Sequence, residues 1–272
     1  TNGPRGIARI DPVRIDGVSF GVTDRLGGLV VTGPIKYYYL LLALVTIVWF
    51  CVGLVASPFM SHARRYHFVV ANWCNAGVWL AKVCIGLNYR VTGAENIPDK
   101  PCVIVAKHQS TWETLFLSGY FSPLTQVLKR ELLRIPFFGW AMYLSKPIAI
   151  DRGSPKQALR QVSTIGAERL AQGQWVLIFP EGTRTQPGQT GKFSRSGASL
   201  AANAGLPLLP IAHNAGSFWP KNGWGKKPGT IDVVIGPLMY AESNSPSDIA
   251  ALNNRAEAWI NETVARLEQN VR

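Results

Sequence analysis

The alternation of apolar and polar positions divides the chain into three parts. Residues 1–36 carry Gly, Pro, Arg and Asp with no sustained period and read as a poorly ordered N-terminal arm. Residues 37–56 are an uncharged run of 20, long enough for a helix to cross ~30 Å of hydrocarbon. Tyr37, Tyr38 and Tyr39 at one end and Trp49 near the other suit the two interfaces of a bilayer. Residues 66–86 are a second apolar stretch, but His67, Asn72, Asn75 and Lys82 fall within an arc of about 140° at helical spacing. That stripe suits a helix lying in the interface, or one leg of a hairpin dipping into a leaflet. Residues 37–87 therefore read as a membrane-associated two-helix motif. Lys36 before the first helix and Arg64-Arg65 after it leave its orientation open, and a single span and a hairpin both fit.

From residue 88 the pattern changes to short apolar runs alternating with longer periodic ones. Residues 89–92, 102–106, 147–150, 175–179, 206–212 and 231–235 read as strands, with a shorter apolar pair at Val127-Leu128. Ser154-Pro155-Lys156-Gln157 offers an N-cap Ser, Pro at the first helical position and Gln at the capping-box site, and Gly173 stops that helix. Residues 196–204 look helical, and Ile249, Leu252, Ile260, Val264 and Leu267 recur at helical spacing. The alternation predicts one α/β domain over 88–272, with a central, mostly parallel or mixed sheet flanked by helices, preceded by the helical hairpin.

Three of the strand runs empty into polar clusters: Lys107-His108-Gln109-Ser110-Thr111-Trp112-Glu113, Asp151-Arg152-Gly153 and Glu181-Gly182-Thr183-Arg184. Neighbouring strand ends converge in the crevice where α/β sheets hold ligands. On a regular helix His108 and Glu113 would be offset by about 140° and could not meet. Across a strand–loop–helix turn, with the helix opening at Thr114, they can. Glu113 then accepts from one ring nitrogen while the other faces a substrate proton, which makes a general base. Arg152 and Arg184 supply guanidinium forks for phosphate oxygens, and Gly182 permits a tight turn or a close backbone approach. Together these groups fit attack of a hydroxyl on a carbonyl, on a substrate that also carries phosphate. Each has a plainer alternative: Asp151 and Arg152 as a surface ion pair, Glu181 as the holder of Arg184, Lys129 as a solvated lysine, His213 as a core or rim histidine. Ser110 and Thr111 are not framed by a Gly-x-Ser-x-Gly elbow; they shape the loop or cap the next helix.

Charge narrows the partners. The 28 Lys+Arg against 16 Asp+Glu give +12, which points to nucleic acid, an anionic membrane surface or a phosphorylated substrate. A hydrophobic content of 47% with nine Trp, and basic residues scattered without a recognition helix, zinc finger or aromatic RNA-binding signature, set nucleic acid aside. Cys51, Cys74, Cys84 and Cys102 show no metal-ligand spacing and read as buried, reduced thiols.

The 107–113 cluster, Ala149-Ile150-Asp151-Arg152, Phe179-Pro180-Glu181-Gly182-Thr183-Arg184 and Pro207-Leu208-Leu209-Pro210-Ile211 resemble, in order and spacing, the four blocks of the glycerolipid acyltransferases. The resemblance is strongest to the bacterial 1-acyl-sn-glycerol-3-phosphate (lysophosphatidic acid) acyltransferases and covers residues 60–240. It implies that His108 deprotonates the sn-2 hydroxyl of lysophosphatidic acid, oriented by Glu113 where the family pattern usually carries Asp. The oxygen then attacks the thioester of acyl-CoA or acyl carrier protein directly, and phosphatidic acid and the free thiol carrier leave. The resemblance also implies that Arg184, Lys129 and Arg152 hold the acceptor phosphate and that Glu181, Gly182, Thr183, Ser110 and Asp151 shape the site. It implies no metal or other cofactor, and a place on the inner (cytoplasmic) membrane with the site facing the cytosol. Another lysophospholipid, a lyso-aminolipid or glycerol-3-phosphate as acceptor would keep the chemistry. A serine esterase built on Ser110 and a non-enzymatic membrane-surface protein are the rivals from other classes.

Overall fold

The computed structural model describes residues 32–135, 139, 142, 146–151, 153–221 and 225–271, so the arm assigned to 1–36 lies outside the described residues up to residue 31. Strands β1 (Leu87–Thr92), β2 (Val103–Ala106), β3 (Leu124–Lys129), β4 (Ile148–Ile150), β5 (Trp175–Ile178), β6 (Leu208–His213) and β7 (Gly229–Ile235) form one sheet. Its order is β1-β7-β6-β2-β5-β3-β4. The five strands from β6 to β4 are mutually parallel; β7 runs antiparallel to β6, and β1 parallel to β7. The sheet is therefore mixed. β2 and β5 are buried at every position, because each has hydrogen-bonded neighbours on both sides and helices over both faces. That is why they read in sequence as unbroken β-branched runs rather than as alternation.

Side chains alternate across the sheet. Ile104, Leu177 and Leu209 point to one side, into the core shared with α2 (His62–Ile85) and α3 (Trp112–Tyr120). Val103, Val105, Val176 and Ile178 point to the other, where α4 (Pro155–Ala171), α5 (Ser196–Ala204) and α6 (Pro246–Gln269) pack. The helix α1 (Thr32–Ala56) lies along α2. It begins ahead of the uncharged run because Pro34 falls in the first turn, where its missing N–H costs nothing, and Lys36 can extend its charge away on a flexible stem. Both α1 and α2 are long and apolar enough to cross a membrane. Their surroundings differ: α1 leaves Leu40, Leu44, Val48, Val52 and Val55 exposed, whereas α2 buries Tyr66, Val70, Cys74 and Val78 against the sheet domain. Of the polar stripe, His67, Asn75 and Lys82 are exposed and Asn72 is half-buried.

Two local readings change. α3 starts at Trp112, not Thr114, so Glu113 sits in its first turn. Pro155 opens α4 as the sequence predicts, but the Ser154 side chain makes no capping bond. The four cysteines are free thiols, with Cys74 and Cys102 buried and Cys51 exposed on the face of α1 that packs on nothing else described. The buried-thiol reading therefore fails for Cys51, is met only halfway by the half-buried Cys84, and holds for Cys74 and for Cys102, whose burial pushes its pKa up to about 12.

Candidate active site

β2 ends at Ala106, and residues 107–111 turn the chain into α3. From the first turn of that helix the Glu113 carboxylate curls back over the loop. Its Oε1 accepts from His108 Nδ1 at 2.9 Å, the Gln109 N–H at 2.9 Å and the Ser110 N–H at 2.8 Å. The carboxylate is sealed from solvent, so these donors are what make its charge tolerable there. Burial alone would raise its pKa. The His213 ring, the hydrogen bond and charge of His108 and the Ser110 N–H outweigh that and hold it below the ordinary glutamate value. An ionised carboxylate only accepts, so Nδ1 carries the imidazole proton and Nε2 presents a lone pair.

The rest of His108 is pinned. Its ring stacks on Phe179 with centroids 4.1 Å apart, its N–H donates to Glu181 Oε2 at 3.0 Å, and its carbonyl accepts from the Thr185 N–H at 2.8 Å. Nε2 is the one polar atom of the residue left without a partner among the described residues, and the side chain is 18% exposed. The alternative that Glu181 holds Arg184 is not what the geometry shows: no hydrogen bond or ion pair joins the two among the described residues. Glu181 Oε1 accepts from Lys107 Nζ at 2.5 Å and from the Gly191 N–H at 3.0 Å, and Lys107 also donates to the Gln189 carbonyl at 3.0 Å. Gly191 permits that approach, since a Cβ there would lie 3.2 Å from three atoms of Glu181. Gly182 instead supplies a left-handed turn, with φ of 67°.

That turn carries Arg184 back toward the His108 loop, where Nη1 donates to Thr111 Oγ1 at 3.0 Å. Lys221 Nζ donates to Thr183 Oγ1 at 3.3 Å, and neither cation is paired with a carboxylate among the described residues. Lys129 ends β3 and pairs with Glu131 at 3.3 Å, both exposed. Asp151 follows β4, exposed, and accepts from the Gly153 N–H at 2.8 Å. Both stand on the same sheet edge as His108, but no hydrogen bond joins either to the His108 cluster among the described residues. Arg152 lies outside the described residues. Ser110 is buried and its Oγ accepts from the Trp112 N–H at 3.0 Å, which makes it a loop-shaping residue. His213 is buried; its Nε2 donates to the Lys107 carbonyl at 2.8 Å and its Nδ1 accepts from the Ala215 N–H at 3.3 Å. Burial lowers the pKa of this ring, while the Glu113 carboxylate nearby pulls the other way.

Beside His108 opens a groove of about 340 Å³ between the ends of β3, β4 and β5 and the flank of α4. Its wall is mostly apolar, with Val127, Leu128, Ile150, Leu159, Val162 and Ile178 along it and Phe179 next to the imidazole. That volume lies in the usual range for a small-molecule site. Among the described residues no group of three or more His, Cys, Asp or Glu is placed to hold a metal ion.

Residues 88–214 match the family model described as Acyltransferase. Over 230 residues the chain is 61% identical to the 1-acyl-sn-glycerol-3-phosphate acyltransferase of Pseudomonas aeruginosa, covering 85% of this chain and 90% of that one. The chain belongs to that acyltransferase family. Identity to the enzyme of the same name from Saccharomyces cerevisiae is 31% over 165 residues, 58% of this chain and 54% of the relative. To the human 1-acyl-sn-glycerol-3-phosphate acyltransferase alpha it is 33% over 180 residues, 64% and 62%. The crystal structure of the 1-acyl-sn-glycerophosphate (LPA) acyltransferase PlsC from Thermotoga maritima shares the fold, with a TM-score of 0.68 at 22% identity over 88% of this chain and 94% of that one. In this acyltransferase His108, Glu113, Lys129, Glu181 and Arg184 all fall inside the matched 88–214. Lys221 falls outside it, in a run of Lys, Gly and Pro where nothing in the sequence marks one lysine above another.

Proposed function

We propose that the chain moves a fatty acyl group from a thioester donor, acyl-CoA or acyl carrier protein, to the sn-2 hydroxyl of 1-acyl-glycerol-3-phosphate, giving phosphatidic acid. The observation that carries this reading is the 2.9 Å contact of His108 Nδ1 with a buried carboxylate, which leaves Nε2 as the free base at the mouth of an apolar groove. Nε2 takes the hydroxyl proton as that oxygen attacks the thioester carbonyl. The C–S bond then breaks, and the imidazolium returns the proton to the departing sulfur. Glu113 stabilises the imidazolium between the two transfers. The acyl chain lies along the groove. Arg184 grips the acceptor phosphate through its guanidinium fork, with Lys129 at the same strand-end edge, and Arg152, as further cations.

Residues 37–87 serve as the membrane-associated motif and residues 88–272 as the catalytic domain. The exposed apolar face of α1 meets the bilayer from which a lysolipid arrives, and the site faces the cytosol, where both donors are made. Another lyso-acceptor would use the same base, and the phosphate contact separates the two readings. A lost charge-assisted contact is worth roughly 1.5–3 kcal/mol, so Arg184→Ala should raise KM for lysophosphatidic acid about 10- to 100-fold. An acceptor without a phosphomonoester should be much less affected. Purified enzyme, either donor and a panel of lyso-acceptors, with products identified by mass, make the test. An equal effect on every acceptor would remove Arg184 from the phosphate.

A further inference from the structure

The last turn of α6 reaches the active-site loops. Glu268 Oε1 accepts from Gln109 Nε2 at 2.7 Å, and Oε2 accepts from the Gly188 N–H at 2.8 Å. Gln109 follows His108 directly and is fully buried. Its own N–H donates to Glu113 Oε1 at 2.9 Å and its Oε1 accepts from the Gly216 N–H at 3.3 Å. Gly188 lies at the tip of the segment that leaves Arg184 and returns at Gly191 to Glu181. We propose that Glu268 is a positioning residue that fixes the spacing between the base His108 and the phosphate-binding Arg184. This rests on the assignment of Arg184 to the acceptor phosphate.

The loop from 185 to 191 is tied at its start by the Thr185 N–H to the His108 carbonyl, and within its tip by Lys107, which donates to the Gln189 carbonyl. Its tip, residues 186–190, is exposed throughout, so apolar burial does not hold it. Polar ties hold it instead, Lys107 at Gln189 and the Glu268 carboxylate at Gly188, and of these Glu268 also reaches Gln109 and so joins that tip to the loop bearing the dyad. Both partners of Glu268 are N–H donors, which a carboxylate satisfies with two acceptor oxygens. A glutamine there would set an amide NH₂ against one of them, so Glu268→Gln keeps at most one tie and Glu268→Ala keeps neither. An acceptor bridging Arg184 and His108 must place its hydroxyl within hydrogen-bond reach of Nε2, and a misplacement of about 1 Å costs on the order of 10²-fold in rate.

The test is steady-state kinetics, varying acceptor and donor separately, on wild type, Glu268→Ala, Glu268→Gln, Arg184→Ala and the Glu268→Ala/Arg184→Ala double variant. Thermal midpoints are read alongside. The expected result is a loss in kcat/KM for lysophosphatidic acid of about 10- to 30-fold in Glu268→Ala and a smaller loss in Glu268→Gln. The donor KM should stay within about twofold, and the Glu268→Ala cost should shrink to under about threefold once Arg184 is already gone. Stability loss alone would lower the apparent activity with both substrates alike and would multiply in the double variant. If Arg184→Ala shows its effect on the acceptor while the two costs multiply, the positioning role falls. If Arg184→Ala leaves the acceptor KM unchanged, the phosphate assignment falls and takes this one with it. Should Glu268→Ala not fold, the same comparison on Glu268→Gln, alone and with Arg184→Ala, decides.

Discussion

His108→Ala should lower kcat for acyl transfer at least about 10³-fold while leaving a folded protein. The imidazole is partly exposed and lies flat on Phe179, so its loss opens no deep cavity, and Glu113 keeps its two backbone donors. A more discriminating result concerns Glu113. The resemblance puts Asp at this place, yet here Oε1 reaches three donors at once, each within 2.9 Å. Shortening the side chain by one carbon–carbon bond, about 1.5 Å, takes the carboxylate out of reach of Nδ1 unless the loop moves. Glu113→Asp should therefore cost on the order of 10²-fold in kcat, although it is the exchange the family pattern would call conservative. Retention of more than about a third of the activity would show that this contact does not orient the base. The same carboxylate sets an acid limit on stability. Its folded pKa is depressed, so its contribution is present above the unfolded value of about 4.3 and is lost as pH falls through the folded one. Urea midpoints of wild type and Glu113→Gln should converge as pH is lowered through that window. Parallel curves would place the pKa elsewhere.

The sites legible in the sequence are those where a buried parallel strand ends. Val103–Ala106 and Trp175–Ile178 are unbroken apolar runs, so the polar residues that follow stand out as strand-end chemistry. β3 is only half visible, because Thr125 and Gln126 break its run. Both are buried and bonded to side chains, Thr125 to Gln174 at 2.6 Å and Gln126 to Ser118. The start of α3 is hidden by Ser110-Thr111, two successive N-cap candidates ahead of a Trp. Periodicity also assigns a helix its apolar face without saying which loop its polar face touches. Glu268 therefore reads as one more solvated acid, although its partner Gln109 lies 159 residues away. Lys107 hides for a related reason: at the end of an apolar strand it resembles a solvated stop, and its carboxylate comes from a block 74 residues downstream. The direction of β7 and β1 has no sequence signal, since neither their composition nor their length distinguishes parallel from antiparallel pairing.

Lys107→Met should be the most destabilising single change in the site. The ammonium and the Glu181 carboxylate are 1% and 0% exposed and lie 2.5 Å apart, so removing one partner strands the other charge out of reach of water. Breaking a buried pair in this way costs about 3–5 kcal/mol. Methionine fills most of the lysine stem, so the loss is electrostatic rather than a cavity. Removing both charges should be milder than removing one: Lys107→Met with Glu181→Gln should recover about 2 kcal/mol of what Lys107→Met alone loses. Activity should not recover with it. A single amide oxygen cannot stand in both places where the carboxylate meets the His108 N–H and the Gly191 N–H, so an amide NH₂ faces one of these donors and the 107–113 loop and the 185–191 loop are no longer both held. The double variant should therefore unfold at a urea midpoint between those of Lys107→Met and wild type while kcat stays depressed by about tenfold. A cost below about 1 kcal/mol for Lys107→Met would mean that the Glu181 carboxylate left behind finds water. Equal recovery of stability and rate in the double variant would mean that the pair holds the fold without setting the position of His108.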